Sequence, residues 1–246
     1  TEIINLPSKG LLYPEDHPLR SGTIEIKYMT AKEEDILSTK SYIEKGIVID
    51  KLLQSIIVTK FDYDTLLIGD RNAIMIAARI YGYGPEYTTV IKKPNGKESK
   101  ISVDLQEIKH KKIDESLLTG KNLFVCVLPV SKRTVELELF TVGKFKDYEA
   151  SVASMDKIKS INKGSDATAT TLYRYLIKSI SGVSSDNLVA EINNMVVADT
   201  KFIRDFISKV QPDIDLDLEL EDPETGEPFR SKIQLGATLF YPDFNQ

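Results

Sequence analysis

The spacing of apolar positions changes several times along the chain, and each change marks an element. Between residues 23 and 29, Ile24, Ile26 and Tyr28 alternate with Glu25 and Lys27, the period of a half-buried strand. Thr30 then opens TAKEEDIL, where the hydroxyl and Glu33 three residues on have capping-box spacing. Asp50 is placed to cap DKLLQSII, whose Leu52, Leu53, Ile56 and Ile57 share a helical face. Asp70 is placed likewise before NAIMIAARIYGYG, with Gly82 and Gly84 marking the helix end. Arg71 follows that cap. A cation next to a helix N-terminus is unfavourable, so it needs a carboxylate partner within the fold or across an interface.

From Tyr87 the period shortens. YTTVIKKPNGKESKISVDL reads as a hairpin in which Asn95-Gly96 supplies a two-residue type I′ turn. NLFVCVLP and RTVELELF read as two further strands. Helical spacing returns at 142–161 and 167–181, with residues 162–165 between them and Gly182 closing the second. Another helix is expected at 187–195. A last one is ADTKFIRDFISKV, capped by Asp199, buried through Phe202, Ile203, Phe206, Ile207 and Val210, and stopped by Pro212. IDLDLELEDPETGEPFRSKIQL closes the pattern as a hairpin turning at 223–226.

These elements predict an α+β fold of short-helix bundles with two β-hairpin or small-sheet elements. Five segments follow: an extended arm at 1–22, a helical unit with a leading strand at 23–88, a β insertion at 89–140, a helical unit at 141–212, and a terminal hairpin with an aromatic tail at 213–246. The arm contains Pro7, Pro14, Pro18 and Gly10 and cannot be a helix interior, yet it is too apolar for a disordered tail. It is expected to lie over a surface, its own or a partner's. Leu6, Pro7, Lys9, Leu11, Leu12 and Tyr13 are therefore candidate partner-binding residues. So are Arg71 and the tail residues Phe240, Tyr241 and Phe244.

Composition narrows the chemistry. A chain of 246 residues suits one or two domains. Its net charge of −5 argues against a dominant nucleic-acid role, which needs a concentrated cationic face. One cysteine, Cys126, allows no internal disulfide, and no apolar run approaches the roughly 20 residues that span a bilayer. A soluble cytoplasmic protein is expected. His17 and His110 are the only histidines, and neither neighbours a nucleophile in sequence, so no enzyme and no cofactor are expected.

Four motifs invite sharper readings and lose them. Asp213, Asp215, Asp217, Glu219 and Glu221 have calcium-loop alternation, but Leu218 stands where the turn needs glycine; a strand with an acidic outer face explains them better. YGYGPEY follows a helix and precedes a strand, the reverse of a phosphate-binding loop. Lys92, Lys93, Lys97, Lys100, Lys109, Lys111 and Lys112 lack interleaved aromatics and read as a solvated face. Cys126 sits within an apolar run and reads as a core residue.

LPSKGLLYP, YMTAKEEDIL, LLIGDRNAIMIAARIYGYGPEY and LGATLFYPDF occur in that order. Together they resemble the baseplate hub assembly proteins of T-even-type bacteriophages, over most of the chain and with anchors at 6–14, 28–37, 66–87 and 235–244. The resemblance implies a hub assembly factor that works through contacts with baseplate hub proteins in the host cytoplasm; a permanent hub subunit is the alternative. Some relatives carry Cys-Pro-x-Cys pairs at the two hairpin turns, as a zinc ribbon would. Here those turns read IKKPNGK and ELEDPETGE, so the resemblance implies no zinc in this chain, and the turns must hold by hairpin chemistry alone.

Overall fold

The computed structural model describes residues 1–93, 95–161, 168–222 and 225–241. Strand β1 (Glu2–Asn5) pairs antiparallel with β2 (Thr23–Ile26), Glu2 opposite Ile26 and Asn5 opposite Thr23. The pairing draws residues 6–22 into a closed loop on the body of the protein, sealed where the Leu6 N–H donates to the Gly22 carbonyl at 2.9 Å. The first 22 residues are therefore a strap, not a free arm.

Helices α1 (Ala31–Ser38), α2 (Lys40–Glu44), α3 (Val48–Ile56) and α4 (Ile68–Tyr83) follow. In α3, Val48, Ile49, Leu52, Leu53 and Ile56 are all buried. Each such side chain contributes about 1.5–3 kcal/mol by leaving water, enough to hold a helix too short to persist alone. Glu33 reaches back to the Thr30 N–H and hydroxyl at 2.9 and 2.7 Å, as its spacing predicts.

The other acidic caps differ. α3, α4 and α8 (Val197–Val210) begin two residues before Asp50, Asp70 and Asp199, which occupy the third helical position; Ile47, Leu67 and Val196 stand at the cap positions. Charge in the first turn still favours a carboxylate. The side chains are then free to bind other segments, and all three do.

Strands β3 (Glu86–Lys92) and β4 (Glu98–Asp104) form the expected hairpin. Its connection is longer than a two-residue turn: the Lys93 N–H donates to the Lys97 carbonyl at 2.8 Å, and Gly96, at φ +81°, closes back on the Lys93 carbonyl. Glycine in the left-handed region at the end of a three-residue loop is the alternative way to reverse a hairpin.

Strands β5 (Phe124–Val127) and β6 (Thr134–Leu137) lead into the long helix α5 (Val142–Ile161) and then α6 (Thr168–Leu176). The expected helix through 181 stops at Leu176. Ile177–Ile180 form β7, which pairs with β6 and buries Ile177 and Ile180. No glycine or proline marks that boundary. The open edge of β6 supplies the competing hydrogen bonds, including Glu138 N–H to the Leu176 carbonyl. Gly182 turns the chain after this strand, not after a helix.

Helix α7 (Leu188–Asn193) precedes α8, and β8 (Asp217–Glu221) pairs with β9 (Pro228–Lys232). The acidic ladder is strand from Asp217 on, where Asp217, Glu219 and Glu221 point outward while Leu218 and Leu220 are half-buried; Asp213 and Asp215 precede the strand. Lys232 stands opposite Asp217, and Arg230 opposite Glu219 at 2.8 Å, so cross-strand cations answer the acids. Residues from all five segments, among them Leu12, Leu53, Phe124, Tyr173 and Leu239, belong to one continuous core.

Candidate functional site

Helix α4 organises the residues singled out in the sequence. Its N-terminal end holds the strap. The buried Asp70 carboxylate accepts from the Ser8 N–H (2.9 Å), the Ser8 hydroxyl (2.7 Å) and the Tyr13 hydroxyl (2.7 Å). Tyr13 in turn accepts from the Leu67 N–H at 3.0 Å, taking up a donor of the helix start. Burial raises the Asp70 pKa against those hydrogen bonds, and burial followed by the Asp70 charge raises that of Tyr13. Lys9 at φ +51° and Gly10 at φ +75° bend the strap back over this buckle. Arg20 then holds the bend by donating to the Leu11 and Tyr13 carbonyls at 3.1 and 3.0 Å.

His17 belongs to the same assembly. It stacks on Tyr13 with ring centroids 4.7 Å apart, accepts from the Leu19 N–H at Nδ1 and meets Thr65 at Nε2. Burial lowers its pKa. A neutral ring accepting at Nδ1 and donating at Nε2 satisfies both contacts.

The positions of the candidate residues correct the expectation of an arm reaching toward a partner. Leu6, Pro7, Leu12 and Tyr13 lie in this chain's own core and Leu11 is half-buried. Of the strap's candidate partner-binding residues only Lys9 is exposed, and it pairs with Glu115. Arg71 has the carboxylate partner its place required: its Nε donates to Asp50 at 2.8 Å, and the Tyr63 hydroxyl donates to the same oxygen at 2.9 Å. That partner lies within the fold, so Arg71 joins α4 to α3. Desolvation and the Asp50 charge hold the Tyr63 phenol well above its ordinary range.

The C-terminal end of α4 holds the chain's other flank. Arg79 is buried, and its three guanidinium nitrogens donate to the carbonyls of Leu239 (2.8 Å), Gly84 (2.8 Å) and Glu86 (3.1 Å). Burial lowers its pKa. Leu239 and Phe240 are consequently buried, and Tyr241 is half-buried. Phe244 lies outside the described residues. Sequence reasoning missed Ser8, Asp50, Arg79 and Lys93 as structural hubs, although a lone arginine in the apolar run IMIAARIYGYG was a readable signal.

Two other carboxylates repeat the logic. Asp199 accepts from the Val130 and Ser131 N–H groups at 2.8 and 3.1 Å, and although desolvation opposes it, these bonds lower its pKa. Lys93 Nζ meets Asp222 at 2.9 Å with both side chains largely buried, joining the tips of the two hairpins. Each residue immediately precedes a proline at the start of its turn. At the other end of the hairpins, the Lys111 and Asp215 N–H groups donate to the Asp213 and Lys109 carbonyls.

Cys126 is buried, and desolvation pushes its thiol up to about 11, so it is unreactive core. Among the described residues no three His, Cys, Asp or Glu side chains gather as metal ligands, and no helix is long and apolar enough to cross a membrane.

Among curated proteins and solved structures nothing matches the chain significantly. The profile of one family, described as T4 bacteriophage base plate protein, matches residues 13–235. That span includes α4, the strap from Tyr13 onward, and both hairpins. By this match over most of its length, the chain belongs to the T4 bacteriophage base plate protein family.

Proposed function

We propose that this baseplate protein is a hub assembly factor. It acts in a chaperone-like way, through contacts with hub proteins in the host cytoplasm and without covalent chemistry. The observation that carries the reading is the joint appearance of the hub-assembly anchor segments in a chain whose residues 13–235 match the base plate profile. The geometry is consistent with it. Asp70, Asp50, Asp199, Arg71 and Arg79 bind other parts of the same chain, so the strongest polar groups serve to hold a surface rigid. A rigid surface assists assembly by binding a hub subunit in its docking-competent conformation and raising that population.

The test compares infected cells with finished virions. The chain should co-purify with hub subunits from lysates and be missing from purified virions, and phage lacking it should accumulate unassembled hub proteins. Stoichiometric presence in virions would make it a permanent subunit. Hubs that assemble at the normal rate without it would overturn both roles.

A further inference from the structure

The motif YGYGPEY has no phosphate-loop geometry, yet it builds a surface. Tyr81 and Tyr83 bracket Gly82 at the end of α4, and Tyr28 and Met29 lie against this end. The Tyr28 ring meets the Tyr81 ring edge-on at 5.8 Å. Met29 packs against Gly82, where an added Cβ would come within 2.9 Å of the methionine sulfur. The missing side chain thus lets an adaptable thioether fill the gap between two tyrosines. Glu34 acts on Tyr83, raising its pKa after burial does, and Phe240 contacts the Tyr83 ring at 6.4 Å. Tyr28, Tyr81 and Tyr83 remain 47%, 39% and 41% exposed, a concentration of tyrosine of the kind that dominates protein interfaces.

Two carboxylates edge the strip. Glu2 binds the Tyr28 hydroxyl at one end, and Glu34 is exposed at the other with no ion pair among the described residues. Of the cations on the adjoining elements, Lys27 is engaged by Glu33 at 2.9 Å and Arg79 by its three carbonyls, while Lys32 on α1 is exposed. Arg79 displays from beneath what one of these rings does with a guanidinium: its Cζ lies 5.3 Å from the Tyr83 centroid, and 5.7 Å from that of the buried Tyr87. The part-exposed rings of Tyr28, Tyr81 and Tyr83 offer the same chemistry to solvent.

We infer that the strip formed by Tyr28, Met29, Tyr81 and Tyr83, edged by Glu2 and Glu34, docks an arginine-bearing segment of a partner protein. Guanidinium planes stack on the tyrosines while the carboxylates pair with their charge. The inference rests on the protein-contact reading above and gives that contact its chemistry.

The full chain is titrated with the capped peptide acetyl-GRGRGRG-amide and with its lysine and glutamate counterparts, following tyrosine ring-proton shifts by NMR. The arginine peptide should move the Tyr28, Tyr81 and Tyr83 signals and bind at least tenfold more tightly than the lysine peptide, and the glutamate peptide should not bind. Tyr81→Leu, and independently the exposed Glu34→Gln, should each weaken binding fivefold or more at unchanged melting temperature. Equal affinity for arginine and lysine peptides, no binding of either, or undiminished binding to both variants would overturn the proposal. A negative titration leaves the hub-assembly reading intact, because lysates and virions decide that reading; absence of the chain from hub complexes would leave the titration result standing.

Discussion

Asp70 shows how much one side chain can carry when it faces inward. As a helix cap, it would be worth about 1 kcal/mol. As the acceptor for three buried donors it is worth more, since each donor left without a partner costs about 1–3 kcal/mol. Asp70→Ala should therefore lose about 3 kcal/mol or more, read as a lower denaturant midpoint, whereas Asp70→Asn keeps a carbonyl acceptor and should lose less. The two buried acids on α1 and α4 respond oppositely to pH. Glu33 has its pKa lowered to about 2: desolvation opposes this, but hydrogen bonds from Ser55, Lys27 and Thr30 outweigh it together. Its contribution is present above the unfolded carboxylate value and is lost as pH falls through about 2. Asp70 has a raised pKa, so its contribution is complete below the unfolded value and declines as pH rises through the folded one. Glu33→Gln should flatten the acid limb of the stability profile between about pH 4.5 and 2.

At the scale of elements, the strap and the hairpins make the sharpest claims. Removing residues 1–14 deletes β1 and takes Leu6, Leu12 and Tyr13 out of the core. At about 1.5–3 kcal/mol for each side chain, and about 2–4 °C per kcal/mol for a chain of this size, the melting temperature should fall by more than about 10 °C. Calorimetry of the truncated protein checks this, and an unchanged value would restore the free arm. The hairpin tips make a second claim. Breaking the buried Lys93–Asp222 pair by Lys93→Met or by Asp222→Leu should cost about 3 kcal/mol, while the double substitution recovers most of the loss. Both substitutions leave a chelator-independent joint, so excess EDTA should not shift the melting temperature of parent or variant. Gly69 makes a related point without a variant: a Cβ there would meet the Pro212 carbonyl oxygen at 1.8 Å, so α4 and the segment that follows α8 approach through bare backbone.

Across the whole molecule, α4 is the common bearing. Asp70 near its start takes the strap, Arg71 takes α3, and Arg79 near its end takes Leu239 and the start of β3. The core is continuous from Leu6 to Phe240. Unfolding should accordingly be a single cooperative transition, with far-ultraviolet circular dichroism and tyrosine fluorescence giving coincident denaturant curves. A strap that opened before the body would separate the two curves.

Much of this was legible in the residues themselves. Period-two and helical spacing located β2, α5 and α8 and both hairpins, because burial on one face imposes that period locally. The need of Arg71 for a carboxylate followed from its place in the first turn, although Asp50 as the partner did not. What the sequence by itself determined was the elements with a strong local period and the family to which four ordered segments belong. Only the tertiary structure decided where helix gives way to strand at Leu176, since the β6 edge that captures Ile177–Ile180 lies some forty residues earlier in the chain. It alone decided that the strap faces inward, because an apolar segment carries no local mark of whose surface it covers. It also decided that Asp50, Asp70 and Asp199 bind distant segments and not their own helix starts. A carboxylate's spacing shows what it can reach within one turn, but its choice among donors is made by whatever the fold brings beside it.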